Sequence, residues 1–157
     1  MLWMGVIFCF SAQNAEQSTN SSTTVTQLIL GLMADIGIFS RTDFTLQFIT
    51  RFEDLLRTAA HFTEYLILGV IACLFFQQLP VKKAWLKGVV SFAICMFYAL
   101  ADEYHQYYVP GRAMQFEDWL VDAFGSLVGI LLIVFLVYRK NLKLRKHRNA
   151  KRTCIRP

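Results

Sequence analysis

Between Ala101 and Gly125 the chain carries Asp102, Glu103, His105, Arg112, Glu117, Asp118 and Asp122, set between two long apolar runs. Ionisable groups are expensive in hydrocarbon, so such a cluster at the edge of two membrane helices signals a task. Glu103 and Glu117 read as ordinary solvated residues of a helix end and a loop. Asp102 and His105 continue a helix, and Asp122 lies inside one, where solvation explains it least. A second set, Arg57, His61 and Glu64, stands at i, i+4, i+7 and therefore shares one helix face.

These residue types support three chemistries and one structural role. His61 or His105 can act as general base or nucleophile, oriented by Asp102, Glu64 or Asp122. Arg112, following the turn Val109-Pro110-Gly111, can grip a phosphate together with Arg57 or a protonated His61. A metal-assisted variant would draw on Glu64, Asp102, His105 and Asp122, since His-x-x-Glu and Asp-x-x-His place ligands on single helix faces. Such spacings are common and no metal is assigned; no cofactor is specified. The structural role is to pair the charges and hold a bundle together. Interhelical polar contacts average only about 0.6 kcal/mol, little reason for so many charges at one face, although buried ion pairs also specify geometry.

The elements that position these residues are membrane helices. More than half of the 157 residues are hydrophobic, 14 of them phenylalanine, and the mean hydropathy is +0.41. The chain is one domain in length, residues 1–138, followed by a basic tail over 139–157. Clear spans are expected at about 59–79, 85–104 and 119–138, each close to the twenty residues a bilayer needs. Leu2 to Ala12 is apolar but half that length, and is expected to be the end of a fourth span whose first turns lie upstream, or a weak signal anchor. Gln13 to Thr26, rich in Ser, Thr, Asn and Gln, reads as a solvated loop. Two amphipathic patterns follow, one on Val25, Leu28, Ile29, Leu32 and Ile36, the other on Phe48, Phe52, Leu55, Leu56 and Ala59. Such helices lie in the membrane interface or against a bundle. The fold class is therefore all-α: a small polytopic bundle of about four transmembrane helices, with amphipathic helices on the extracytoplasmic side. The four cysteines sit in apolar runs or the tail, and neither a disulfide nor a metal site is expected.

Charge sets the orientation. Twelve of the sixteen basic residues fall in the hairpin (Lys82, Lys83, Lys87) or in the tail, where there are no acids. All eleven acids lie elsewhere, with Arg41, Arg51, Arg57 and Arg112. Hairpin and tail are then cytoplasmic by the positive-inside rule, which argues for anionic lipid and against nucleic acid as the partner of the basic tail. His61, Glu64, Asp102, His105, Arg112, Asp118 and Asp122 all reach the opposite, extracytoplasmic face and can form one site. Gly125 and Gly129 form a small-xxx-small seam beside Asp122, letting another helix approach.

Asp102-Glu103-Tyr104-His105-Gln106, Val109-Pro110-Gly111-Arg112, and Asp118 and Asp122 before Gly125 and Gly129 together resemble the signature of VanZ-like membrane proteins. Arg57, Ala60-His61-Phe62, Glu64-Tyr65 and Leu68-Gly69 look like that family's other motif, and Phe10-Ser11-Ala12-Gln13 with Gln17-Ser18 and Ser21-Ser22 fits its usual opening. Thr58 departs from the lysine common after the arginine, and Met114 from the small residues usual near it. The resemblance covers nearly the whole chain up to the tail. It implies a Gram-positive-type envelope membrane protein of a family associated with resistance to the glycopeptide teicoplanin; the arginines and His61 add the expectation of a ligand phosphate, from a membrane lipid or a lipid-linked cell-wall precursor. It implies no particular reaction and no oligomeric state.

On a cysteine-free background, Val109→Cys is expected to react with a membrane-impermeant thiol reagent added to intact cells, while a cysteine placed in the tail stays protected. The reverse pattern would invert the topology.

Overall fold

The computed structural model describes residues 2–38, 44–80 and 83–154. Arg41, Asp43, Lys82 and Arg156, counted in the charge balance above, lie outside the described residues. The described residues form five helices: α1 (Leu2–Ser11), α2 (Ala15–Asp35), α3 (Leu46–Gln77), α4 (Ala84–Gln106) and α5 (Phe116–Cys154). Three stretches, Leu46–Gln77, Trp85–Gln106 and Phe116–Leu144, are long and apolar enough to cross a membrane by length and composition; α1 is a shorter apolar helix.

The Ser/Thr-rich segment expected to be a loop is helical. Asn14 starts α2 by accepting the Gln17 backbone N–H at 2.8 Å, while the Gln17 side chain reaches back to the Asn14 N–H at 3.4 Å, a reciprocal capping box. Thr24 donates to the Asn20 carbonyl, so its hydroxyl is spent within the helix. Gly37, at φ 76, reverses the chain after α2, with Ile38 N–H donating to the Met33 carbonyl. The apolar stripe of α2 is largely uncovered: Leu28, Leu32 and Ile36 are exposed, and Thr26 and Leu30 are buried instead. Thr23 donates to Glu53 at 2.9 Å and ties α2 to α3.

The second amphipathic pattern and the first span are one helix, α3, capped by Thr45 and ended before Pro80. Thr58 and Thr63 donate to the carbonyls of Asp54 and Ala59, which keeps their polarity internal to the helix. Lys87 of α4 donates to the carbonyls of Gln77 and Leu79, at 3.0 and 2.9 Å. It caps the end of α3 with a cation where the helix dipole is negative.

The closest packing is between α3 and α5. A Cβ on Gly125 would strike the carbonyl oxygen of Phe62, and one on Gly129 that of Leu66; on the facing helix, one on Gly69 would strike the backbone of Ser126. The predicted seam is therefore met by a third glycine on its partner. Around it lie Tyr65, Leu68, Ala72, Cys95 and Ala99, joined by Ile7 of α1, with Cys73, Ile130 and Ile133 beyond. Two bonds seat α1 on this core: Trp3 Nε1–H to the Glu64 carbonyl (2.9 Å) and the Tyr98 hydroxyl to the Met4 carbonyl (2.5 Å).

Val109, chosen above as a labelling position, is 9% exposed, whereas Tyr108 beside it is 64% exposed and is the better probe. For the seam, Gly129→Val is expected to lower resistance to unfolding in denaturing detergent by about 1–3 kcal/mol or more, as overpacking does. Gly31→Ala, which meets open space, should instead gain up to about 1 kcal/mol from helix propensity. Equal stability of Gly129→Val and the unaltered protein would mean that the helices do not touch there.

Candidate functional site

Because the α3–α5 seam brings backbones together at Phe62 and Gly125, the residues just before them also meet. His61 Nδ1 lies 3.4 Å from Asp122 Oδ1, and the Asp122 side chain is fully buried. The pair is ionic when the imidazole is protonated. At that length it is a loose contact rather than a short hydrogen bond. Among the described residues neither Asp122 oxygen has a hydrogen-bond partner. A buried carboxylate of this kind depends on the neighbouring imidazole.

A second polar chain starts on α4. Asp102, also buried, accepts from Gln106 Nε2 at 3.4 Å, and Gln106 Oε1 accepts from Arg112 Nη1 at 3.3 Å. Gln106 thus links a buried carboxylate to the guanidinium of the following loop. The i, i+4 spacing of Asp102 and Gln106 was available in the sequence as a signal. Glu103, expected on the solvated side, is instead fully buried and accepts the Gln115 backbone N–H at 2.9 Å. The correction has a physical reason. The loop after α4 folds back over the helix, where Gly111 adopts φ 78, and its returning strand of backbone needs an acceptor.

These groups surround a cavity of about 320 Å³. Arg57, His61 and Glu64 come from α3, Asp102 and Gln106 from α4, and Arg112 from the loop. Phe10, Ser11 and Gln13 close one side, and Ser18, Ser21, Ser22 and Val25 of α2 close another. Ser18, Ser21, Ser22 and Val25 are i, i+3, i+4, i+7, so the serine-rich first half of one face of α2 walls the cavity, and the apolar stripe continues that face beyond Val25. Asp122 is sealed behind His61. A smaller space of about 160 Å³ continues past Arg57, Gln106 and Arg112 to Asp118.

Of the residues expected in one site, Arg57, His61, Glu64, Asp102 and Arg112 come together on the cavity, Asp122 backs it, and Asp118 lines its extension. Gly125 and Gly129 serve the seam. His105 does not line the cavity: its ring rests on Phe8 at 4.6 Å between centroids. The set Glu64, Asp102, His105 and Asp122 is accordingly not gathered as metal donors. Among the described residues no group of three or more His, Cys, Asp and Glu is placed to hold a metal ion. The serines of α2, Gln106 and Glu103 were the residues whose spacing was legible but whose placement was not.

Burial and the neighbouring charge of Arg57 lower the pKa of Arg112, against the pull of Asp102, Asp118 and Glu103. A guanidinium stays charged through such a shift. Two cations therefore face one space, and Arg112 donates to the neutral Gln106.

A double-mutant cycle on His61→Gln and Asp122→Asn, read as stability in denaturing detergent, should return a coupling of about 0.6–1.7 kcal/mol, the range of interhelical polar pairs. Additive losses would mean that the two side chains do not interact. Glu103→Ala should speed hydrogen exchange at the Gln115 amide, while Glu117→Ala, on an exposed residue, should leave it unchanged.

The family model described as VanZ/LLP1 matches residues 1–137. No curated protein and no solved structure matches the chain.

Proposed function

The chain belongs to the VanZ/LLP1 family, and from that premise we propose that it is an envelope membrane protein whose cavity holds the phosphate of a membrane lipid or lipid-linked cell-wall precursor. The observation that carries this reading is the pairing of Arg57 and Arg112 on both connected spaces. Like charges held together are stabilised by an anion between them, and guanidinium forks match phosphate oxygens. The hydroxyls of Ser18, Ser21 and Ser22 add neutral donors on the facing wall. With the basic tail inside the cell, the cavity opens outward, where a precursor awaits assembly. Shielding or redistributing that precursor is the proposed route to teicoplanin resistance.

A second reading rests on one further observation. His61 stands at the cavity wall with Asp122 behind it, the arrangement of a general base oriented by a carboxylate. On this reading the bound lipid is hydrolysed or transferred to an acceptor.

The test compares lipid phosphorus retained by purified protein. Arg57→Gln and Arg112→Gln are each expected to lower it roughly tenfold or more, since a hydrogen bond to a charged group contributes about 1.5–3 kcal/mol. The same variants should lose teicoplanin protection in a susceptible host. Retention equal to that of the unaltered protein in the double variant would sink the phosphate reading. His61→Gln separates the two readings: binding alone predicts unchanged lipid, and catalysis predicts build-up of one unprocessed species.

A further inference from the structure

On the other side of the α3–α5 pair, at the level of His61 and Asp122, runs an apolar groove of about 390 Å³. Leu55, Ala59 and Phe62 of α3 form one bank, Leu120 and Phe124 of α5 the other, and the rings of Phe62 and Phe124 meet at 5.9 Å. Its floor is closed by the seam, where Gly125 sits against the Phe62 carbonyl. The groove and the cavity share α3, and α5, the groove's other bank, reaches the cavity's extension through Asp118. On α3 the groove face (55, 58, 59, 62) adjoins the face of Arg57 and His61, and on α5 Leu120 and Val121 lie between Asp118 and Asp122.

We propose that this groove seats a hydrocarbon chain of the same lipid whose phosphate Arg57 and Arg112 hold. The inference rests on the phosphate reading and extends it to the ligand's other end. Three observations fix a lipid chain as the occupant. The groove has almost no polar lining beyond Thr58, whose hydroxyl is already bonded to the Asp54 carbonyl. It lies within two helices long and apolar enough to span a bilayer, one turn from the start of α5, so it falls where headgroups meet chains. Arg57, which lines the cavity and its extension, directly precedes Thr58 of the groove, so a phosphate site and the groove adjoin along α3.

The groove alone cannot choose a lipid, because bilayer chains are as apolar as its walls and no hydrophobic gain separates them. Choice comes from the phosphate, and the groove fixes where the chain runs and how long it stays. A single ligand therefore bridges the front and back of the α3–α5 pair across the turn holding Arg57 and Asp118.

Full-length protein in nanodiscs doped with phosphatidic acid bearing a diazirine near the headgroup end of one acyl chain tests this. Irradiation is expected to label residues 55–62 and 120–124. Ala59→Trp, at an exposed position whose replacement leaves the core intact, fills the groove and should cut that labelling about tenfold, a difference of ~1.4 kcal/mol. The double variant Arg57→Gln with Arg112→Gln should cut it similarly, although the groove is untouched. A diazirine phosphatidylcholine, whose phosphate is shielded by choline, should label the groove less than phosphatidic acid. If phosphatidic acid is retained through the arginines but labels elsewhere, or labels the groove equally in Ala59→Trp, the groove assignment fails and the phosphate reading stands. If groove labelling ignores both arginine changes, the phosphate reading fails and this inference falls with it.

Discussion

The close approach of α3 and α5 is the constraint on which the rest depends. Three glycines let backbone meet backbone, Gly125 on Phe62, Gly129 on Leu66 and Gly69 on Ser126. Such approach favours helix pairs in lipid, where no hydrophobic force pulls helices together and packing must do so. It also decides the chemistry. His61 precedes Phe62, and Asp122 lies one turn before Gly125, so the seam that joins the helices also presses imidazole towards carboxylate. Among the described residues no hydrogen bond relieves the burial of Asp122, and moving the helices apart would take the imidazole away from it.

Less rigid elements are fitted around that pair. The core holds α1 through Ile7 and two side-chain bonds to backbone carbonyls, which brings Ser11 to the cavity wall. The loop carrying Arg112 has no regular structure of its own. It is fixed at both ends by α4, through Gln106 at the guanidinium and Glu103 at the Gln115 amide. The arginine that gives the cavity its charge is thus positioned by side chains buried in the bundle rather than by its own turn.

The spans, the seam and the convergence of Arg57, His61, Glu64, Asp102 and Arg112 were legible because they follow from helical period and apolar length. What was hidden depends on long-range contacts. Gln13 to Thr26 has a composition that favours loops, yet Asn14 and Gln17 cap it into a helix whose serines meet a cavity made by other elements. Glu103 shares the polarity and helix-end position of a solvated residue. Only the fold of the later loop buries it. His105 has the right type and spacing for the site, but α1 takes its face and places Phe8 against its ring. A pattern within one helix predicts which residues share a side; which helix arrives there is a tertiary fact.

The charges are also sorted by depth in a way that limits where a ligand can sit. Arg57 and Arg112 border both the main cavity and its extension, whereas Glu64 and Asp102 line the main cavity and Asp122 closes behind it. Inward of the arginines the main cavity is lined by the acidic side chains Glu64 and Asp102, so the cationic partners an anion can find there are Arg57 and Arg112. On the proposed phosphate reading, the ligand sits beside the arginines. His61 is the residue there able to offer a proton to it or take one from a water beside it. The two proposed readings, binding and catalysis, share that position and differ in whether the imidazole reaches the phosphate.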